Sequence, residues 1–183
     1  SGVVEPGLAR SVATTIRDRF TWLFVNLLTA VLASVVIFLF EGTIEQIVAV
    51  AVLMPIVASM GGNAATQTLA IAVRAIATHD LTAANTGRVI TKELLVATAN
   101  GLVFAVLVAV IGTFWTGSPE LGVVFGMAMI VTMISAGLVG ILIPLGLDRM
   151  HIDPAIASSV FVTAVTDVVG FLSFLGLVAW LLL

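Results

Sequence analysis

The sequence predicts an all-α membrane protein with five transmembrane helices, its amino terminus cytoplasmic and its carboxyl terminus outside. Three observations carry that prediction. The chain is 61% hydrophobic and 9% charged, whereas a soluble domain would carry about 25% charged residues. The apolar residues fall in five long continuous runs, not in the alternating segments of about ten residues that a membrane β-barrel shows. All seven Lys and Arg residues then lie on one side if each run crosses once.

The first run is Phe20–Phe40, preceded by Arg10, Arg17 and Arg19. The second is Gln46–Val73, and its 28 residues would extend about 42 Å at about 1.5 Å each, against a hydrocarbon core of about 30 Å. Pro55 removes a backbone donor and Gly61-Gly62 adds freedom, so this helix is expected to be tilted, kinked or locally broken. About twenty more polar residues follow, from Arg74 to Glu93, punctuated by Asn85 and Gly87 and containing Arg88 and Lys92. The third run is Leu94 to Trp115 and the fourth Leu121–Leu147, with Pro144 and Gly146 expected to kink or end it. Arg149 sits in the turn before the fifth run, Pro154–Leu183. The side without Lys or Arg carries Glu41, Glu45 and Glu120. An excess of Lys and Arg marks cytoplasmic loops, which fixes the orientation. An even number of crossings would scatter the charges over both faces. Glu41 and Glu45 then fall at an extracellular mouth.

Asp167 is the only charged residue from Pro154 to Leu183. It would lie near the bilayer midplane, where a carboxylate costs about 2.5–3.5 kcal/mol on insertion scales. No Lys or Arg lies at a comparable depth in any run, so the expected partner is a cation from solution. On a helix, Ser159, Thr163, Thr166, Gly170 and Ser173 share a broad face with Asp167. A second stripe, Ser59, Gly62, Asn63, Thr66 and Gln67, recurs at helical spacing in the second run. Such hydroxyls and amides also bond back to their own helix or across to a neighbour. With a midplane carboxylate in the stripe, a wet pathway accounts for more of the pattern. Asp153-Pro154 has the form of a helix start, an N-cap followed by Pro at the first position; a cytoplasmic cation site is the sharper reading of Asp153, which clusters with Asp148 and His151. Gly122-x-x-x-Gly126 and Ala136-x-x-x-Gly140 are read as close helix packing.

The chain has no cysteine, so disulfide, zinc–thiolate and cysteine-nucleophile chemistry are excluded. The ligands on offer are carboxylate, hydroxyl and carbonyl oxygens, which suit hard cations such as Mg²⁺ and Ca²⁺. One Asp neutralises a divalent ion poorly. Two copies on the axis of a C2 dimer balance its charge, and Mg²⁺ keeps much of its water shell in a site so sparse.

The segment Pro55-Ile-Val-Ala-Ser-Met-Gly-Gly-Asn-Ala-Ala-Thr-Gln67, followed by Arg74-Ala-Ile-Ala, resembles the second membrane helix of MgtE-type Mg²⁺ transporters. Asp153-Pro-Ala through Thr166-Asp167 resembles the last helix of that family. The resemblance covers the chain from about Arg10. It implies a homodimer in the plasma membrane, a pore along the two-fold axis, and a largely hydrated Mg²⁺ held at Asp167 with main-chain oxygen near Thr163. Family members carry Asn where this chain has Ser159, and a more polar stretch where it has Ala64-Ala65-Thr66. Asp153 matches a residue of regulatory Mg²⁺ sites that hold the closed state. Those sites are completed by a cytoplasmic N domain, a CBS pair and a connecting helix, of which this sequence is expected to hold only the end of the connecting helix.

The expected organisation is residues 1–19 as a tag remnant (Ser1-Gly2) plus the end of the connecting helix, and 20–183 as the pore domain. The expected metal ligands are Asp167, Thr163 and Ser159, with Asp153 at a regulatory site. Asn63, Thr66, Gln67, Thr166 and Gly170 are expected to line the pore. Divalent cations other than Mg²⁺ are compatible with the same oxygens. A proton-coupled cation carrier in which Asp167 titrates is the alternative. No enzymatic activity is expected: an intramembrane aspartyl protease needs two carboxylates in one site, and each chain has one within a span. A non-conducting anchor leaves the cost of Asp167 unexplained.

Overall fold

The computed structural model describes residues 10–183; the Ser1-Gly2 expectation lies outside them. The element order is α1 (Val12–Leu39), a short α2 (Glu41–Gln46), α3 (Ala49–Ala77), α4 (Thr86–Thr116), α5 (Pro119–Arg149) and α6 (Pro154–Leu181). The described residues form no strand. Five helices, all but α2, are long and apolar enough to cross a membrane.

Most of the helices outrun the apolar runs, because caps stop a helix and the end of hydrophobicity does not. Ser11 starts α1 by accepting from the Thr14 N–H at 3.2 Å, nine residues before the first apolar run begins at Phe20, and α1 passes through residues 19 and 20 without interruption. Ser118, followed by Pro119, starts α5, and Asp153, followed by Pro154, starts α6. Gly117, with φ 70°, ends α4 in the left-handed conformation that glycine adopts without strain. Two helices end the same way on histidine. His79 and His151 have φ of 60° and 59°. In each case the next N–H, of Asp80 or Ile152, reaches back to Ala75 or Leu147 at 2.9 Å, closing a Schellman motif. The polar stretch after the second run therefore shrinks to a connection of residues 78–85, held by Asn85, which accepts from Thr82 N and donates to the Asp80 carbonyl.

The expected break in the second run does not occur. α3 is unbroken from Ala49 to Ala77, with Pro55 in its second turn, where one intrahelical bond is lost and the rest continue. Pro144 likewise neither ends α5 nor interrupts it; that helix runs on to Arg149.

α5 is the central helix, packed against α3, α4 and α6. Its small residues make this possible. A Cβ at Gly122 would collide with Thr113 of α4, and one at Gly126 would lie 2.8 Å from the Ala105 carbonyl. The Gly122/Gly126 pair is thus the α4–α5 seam, and Gly140 meets Thr68 and Ala65 of α3. The core between α3, α5 and α6 contains Leu53, Val57, Phe125, Met129, Phe174 and Leu175. α1 lies at the edge, touching α6 and, slightly, α2. Leu23, Leu27, Leu28 and Val31 of α1, and Leu102, Val103 and Val106 of α4, are exposed, as lipid-facing residues are. Trp115 and Trp180, both exposed, end α4 and α6 on the same side, at the level where indole rings favour the bilayer interface.

Candidate cation site on helix α6

Two faces of α6 differ. Ser158, Val162, Thr166, Gly170 and Phe174 are buried. Ser159 and Thr163 are exposed, and Asp167 is half-buried on the same stripe. Ser159 and Thr163 line a groove of about 970 Å³ between the first half of α1 and the first half of α6, together with Thr21, Trp22 and Asn26. Arg10, Asp18 and Arg19 stand at the end of this groove nearest the start of α1. Arg10 is tied to Asp18 at 2.6 Å, the one ion pair among the described residues. Asp167 therefore has no cationic side-chain partner there. One and two turns onward from Asp167, Phe171 and Phe174 join the apolar core, so the exposed hydroxyls of the stripe lie between Asp167 and the start of α6.

The oxygens of the stripe are not equivalent. The Thr166 hydroxyl donates to the Val162 carbonyl at 3.0 Å and to the Thr163 carbonyl at 3.1 Å. In a helix the Thr163 carbonyl also accepts the N–H of Asp167, so both its lone pairs are engaged. The Thr163 hydroxyl, in the groove, is the freer oxygen. Thr166 and Gly170, expected on the pore face, turn inward instead. Thr166 is fully buried, and a Cβ at Gly170 would lie 3.1 Å from Val57 of α3. The helical period puts them about 60–100° round from Asp167, and that is enough to move them from the open face to the packed one.

The α3 stripe lies elsewhere. Asn63 and Gln67 line a second groove of about 380 Å³ between α3, α4 and α5, which also holds Glu93 and Asn100. Asn63 donates to Ser59 at 3.4 Å, and the Thr66 hydroxyl to the Gly62 carbonyl at 2.8 Å. Within one protomer the two stripes line different grooves. Glu93 was read from the sequence as the edge of a polar stretch. It stands inside α4 and half-buried, and its Oε2 accepts from Thr68 at 3.4 Å. The early Thr86 start of α4 was the missing signal.

Asp153 is exposed, and its carboxylate accepts from the Ala155 N–H at 3.0 Å, the N-cap arrangement. Glu41 and Glu45 are exposed on α2, where α2 meets the last turns of α6. Among the described residues no three His, Cys, Asp or Glu side chains converge into a closed chelating cage. Asp167, Thr163 and Ser159 place one half-buried carboxylate and two exposed hydroxyls along one stripe of α6.

Comparison with known proteins gives the same direction. Residues 54–177 match the MgtE family, described as divalent cation transporters. The chain is 32% identical over 159 residues to the magnesium transporter MgtE of Bacillus subtilis (strain 168), covering 87% of this chain and 35% of that protein. It is 34% identical over 164 residues to the magnesium transporter MgtE of Thermus thermophilus, covering 90% and 36%. The corresponding protein of Enterococcus faecalis is 33% identical over 159 residues, covering 87% and 35%. The chain thus spans about a third of the length of these relatives.

Proposed function

The chain belongs to the MgtE family of divalent cation transporters, and from that premise we propose that it is a multi-pass Mg²⁺ pore, formed on the two-fold axis of a homodimer. The observation that carries this reading is Asp167: a carboxylate in the middle of a membrane-capable helix, on the open stripe of α6 with Ser159 and Thr163, and without a cationic side-chain partner among the described residues. Two copies facing each other neutralise one divalent ion. The hydroxyls of Thr163 and Ser159 stand one and two turns nearer the start of α6, where they replace part of the outer hydration of an ion that keeps its inner waters. The relatives' names identify Mg²⁺ as their cargo, and an all-oxygen site suits it.

The amino terminus is cytoplasmic in this reading, because all seven Lys and Arg residues then face the cytoplasm. Mg²⁺ arriving from outside passes Glu41 and Glu45, meets the Asp167 pair at the midplane, and leaves along Thr163 and Ser159. Asp153 caps α6 at the cytoplasmic exit, and a regulatory ion there would compete with that cap.

The test is Mg²⁺ influx into proteoliposomes holding this chain, beside Asp167→Asn, with and without an imposed pH gradient. Influx is expected to fall about tenfold or more in the variant, a barrier change of about 1.4 kcal/mol, and to ignore the proton gradient. Influx that follows the proton gradient would establish the carrier alternative, with Asp167 as a proton site. Full influx in Asp167→Asn would remove Asp167 from the pathway.

A further inference from the structure

We propose that Thr132, on α5, is a positioning residue for the Asp167 site: its γ-methyl, wedged between Gly61 of α3 and Gly170 of α6, fixes how far α6 and its carboxylate stand from the bundle. This rests on the reading of Asp167 as the ion-binding group.

Thr132 lines neither of the two grooves described above. It is fully buried at the meeting of α3, α5 and α6. Its hydroxyl donates to the Ala128 carbonyl at 2.7 Å. That bond, on a β-branched side chain with few rotamers, holds χ1 and aims the methyl outward from α5. A Cβ built on Gly61 would lie 2.6 Å from the Thr132 γ-methyl, and one on Gly170 would lie 3.7 Å from the same carbon. Ordinary carbon contacts are about 3.5–4.0 Å. The approach of α3 to α5 at this level is therefore possible only because residue 61 is glycine.

The third participant is Thr166, whose Cβ would be 3.5 Å from a Cβ at Gly61. Its own hydroxyl is bonded back to Val162 and Thr163, which fixes that side chain too. Thr166 precedes Asp167 in the chain, and Gly170 follows it by one turn. The two contacts that seat α6 on the bundle thus bracket the carboxylate. Packed interiors transmit such displacements because they hold few voids to absorb them. In a dimer any outward shift of α6 acts twice, once from each side of the axis. A site that recognises an ion through the spacing of two carboxylates is sensitive to that shift. Mg²⁺ holds its waters in a rigid octahedral shell at about 2.0–2.1 Å and Ca²⁺ in a looser one at about 2.3–2.6 Å, so the two hydrated ions differ in the carboxylate spacing they fit.

The geometry also supplies a compensating change. Thr132→Ser deletes the γ-methyl and keeps the hydroxyl bond to Ala128. With the methyl gone, the remaining neighbours of a Cβ at position 61 are the Thr166 Cβ and carbonyl at 3.5 and 3.9 Å, both ordinary contacts. Gly61→Ala should therefore be harmful in the native background and tolerated beside Thr132→Ser.

The experiment measures Mg²⁺ and Ca²⁺ influx in proteoliposomes for the native chain, Gly61→Ala, Thr132→Ser, the double variant and Asp167→Asn, with folding checked by thermal unfolding. A positioned group moved by about 1 Å can lose about 10²-fold in rate, and Gly61→Ala is expected to lower the Mg²⁺/Ca²⁺ influx ratio by about tenfold. The double variant is expected to return to within about twofold of the native ratio, a coupling that distant sites do not show. A merely structural role for Thr132 would change the amount of folded protein and leave the ratio alone. An unchanged ratio in Gly61→Ala overturns the proposal, and so does a lowered ratio that Thr132→Ser fails to restore. If Gly61→Ala does not fold, Thr132→Ser alone decides: loss of the γ-methyl with the hydroxyl bond kept shifts the Mg²⁺/Ca²⁺ ratio if the wedge sets the stand-off of α6, and a native ratio in that folded variant overturns the proposal. If Asp167→Asn itself transports like the native chain, the ion-site reading fails first, and that result is distinct from either outcome at Gly61.

Discussion

The two faces of α6 are built from similar residues and do different work. Ser158, Thr166 and Gly170 sit on one, Ser159, Thr163 and Asp167 on the other, and the helix turns between them by less than half a revolution. On the inner face each hydroxyl or glycine serves packing: Thr166 bonds back to its own helix and Gly170 lets Val57 approach. On the outer face the hydroxyl-bearing Ser159 and Thr163 are left toward a groove of about 970 Å³. A Ser or Thr in a membrane helix therefore says little by itself. What gives it a role is which side of the helix the rest of the bundle covers.

The largest expected difference concerns the carboxylate itself. A charge at the centre of a membrane helix costs about 2.5–3.5 kcal/mol on insertion scales, and the half-exposure of Asp167 reduces what this protein bears. Asp167→Asn should lose selective transport and leave the melting temperature in detergent unchanged or raised. A melting temperature several degrees lower would mean that Asp167 belongs to the packed face, and the comparison would break.

Next in size is the contrast between Phe174 and Thr163. Phe174 is fully buried and meets Phe125 with ring centroids 5.4 Å apart. Phe174→Ala leaves a cavity between α5 and α6, and the cost should be about 3 kcal/mol, the low end of the range for such truncations, since lipid replaces water as the alternative surroundings. Thr163→Val should stay within about 0.5 kcal/mol of the native stability while lowering Mg²⁺ influx several-fold. Thermal unfolding and proteoliposome influx measured on both variants would sharpen the division if the two effects separate cleanly.

Much of this molecule is legible in its sequence, for identifiable reasons. The five helices follow from uninterrupted apolar runs, and Asp167 stands out because nothing near it in sequence can neutralise it. The GxxxG pair on α5 reads correctly as packing because small residues at that spacing leave room for a neighbouring backbone. The helix ends were less legible, since Ser11, His79 and His151 are single capping residues with no hydrophobic signature. The length of the second run and Pro55 predict a tilted, kinked or locally broken helix; of these the break does not occur, because a proline in the second turn removes only one bond. The rotation of α6 was not legible at all. A stripe of Ser, Thr, Gly and Asp marks a broad polar side, and only the contacts of α3 and α5 decide that Thr166 and Gly170 belong to the interior. Glu93 stayed hidden because a charge beside Lys92 reads as a loop until α4 is seen to start at Thr86.

The smallest expected effect is also the most local, because Ser158 and Ser159 are neighbours in the chain. Ser158 is fully buried, and its Oγ finds no hydrogen-bond partner among the described residues. A buried polar group left unsatisfied costs about 1–3 kcal/mol, so Ser158→Ala should raise the unfolding temperature slightly and leave Mg²⁺ influx as it was. Ser159 is exposed and lines the groove, so no buried hydroxyl is lost, and Ser159→Ala should leave the unfolding temperature as it was and change the Mg²⁺ concentration at half-maximal influx by about twofold, a shift of less than 1 kcal/mol. The pair is a stringent test because composition, depth and helix are all held constant. If both substitutions act on stability, the groove side of α6 is packed in the assembled protein. If both act on transport, the inner face of α6 moves during the transport cycle and the two faces are one functional surface.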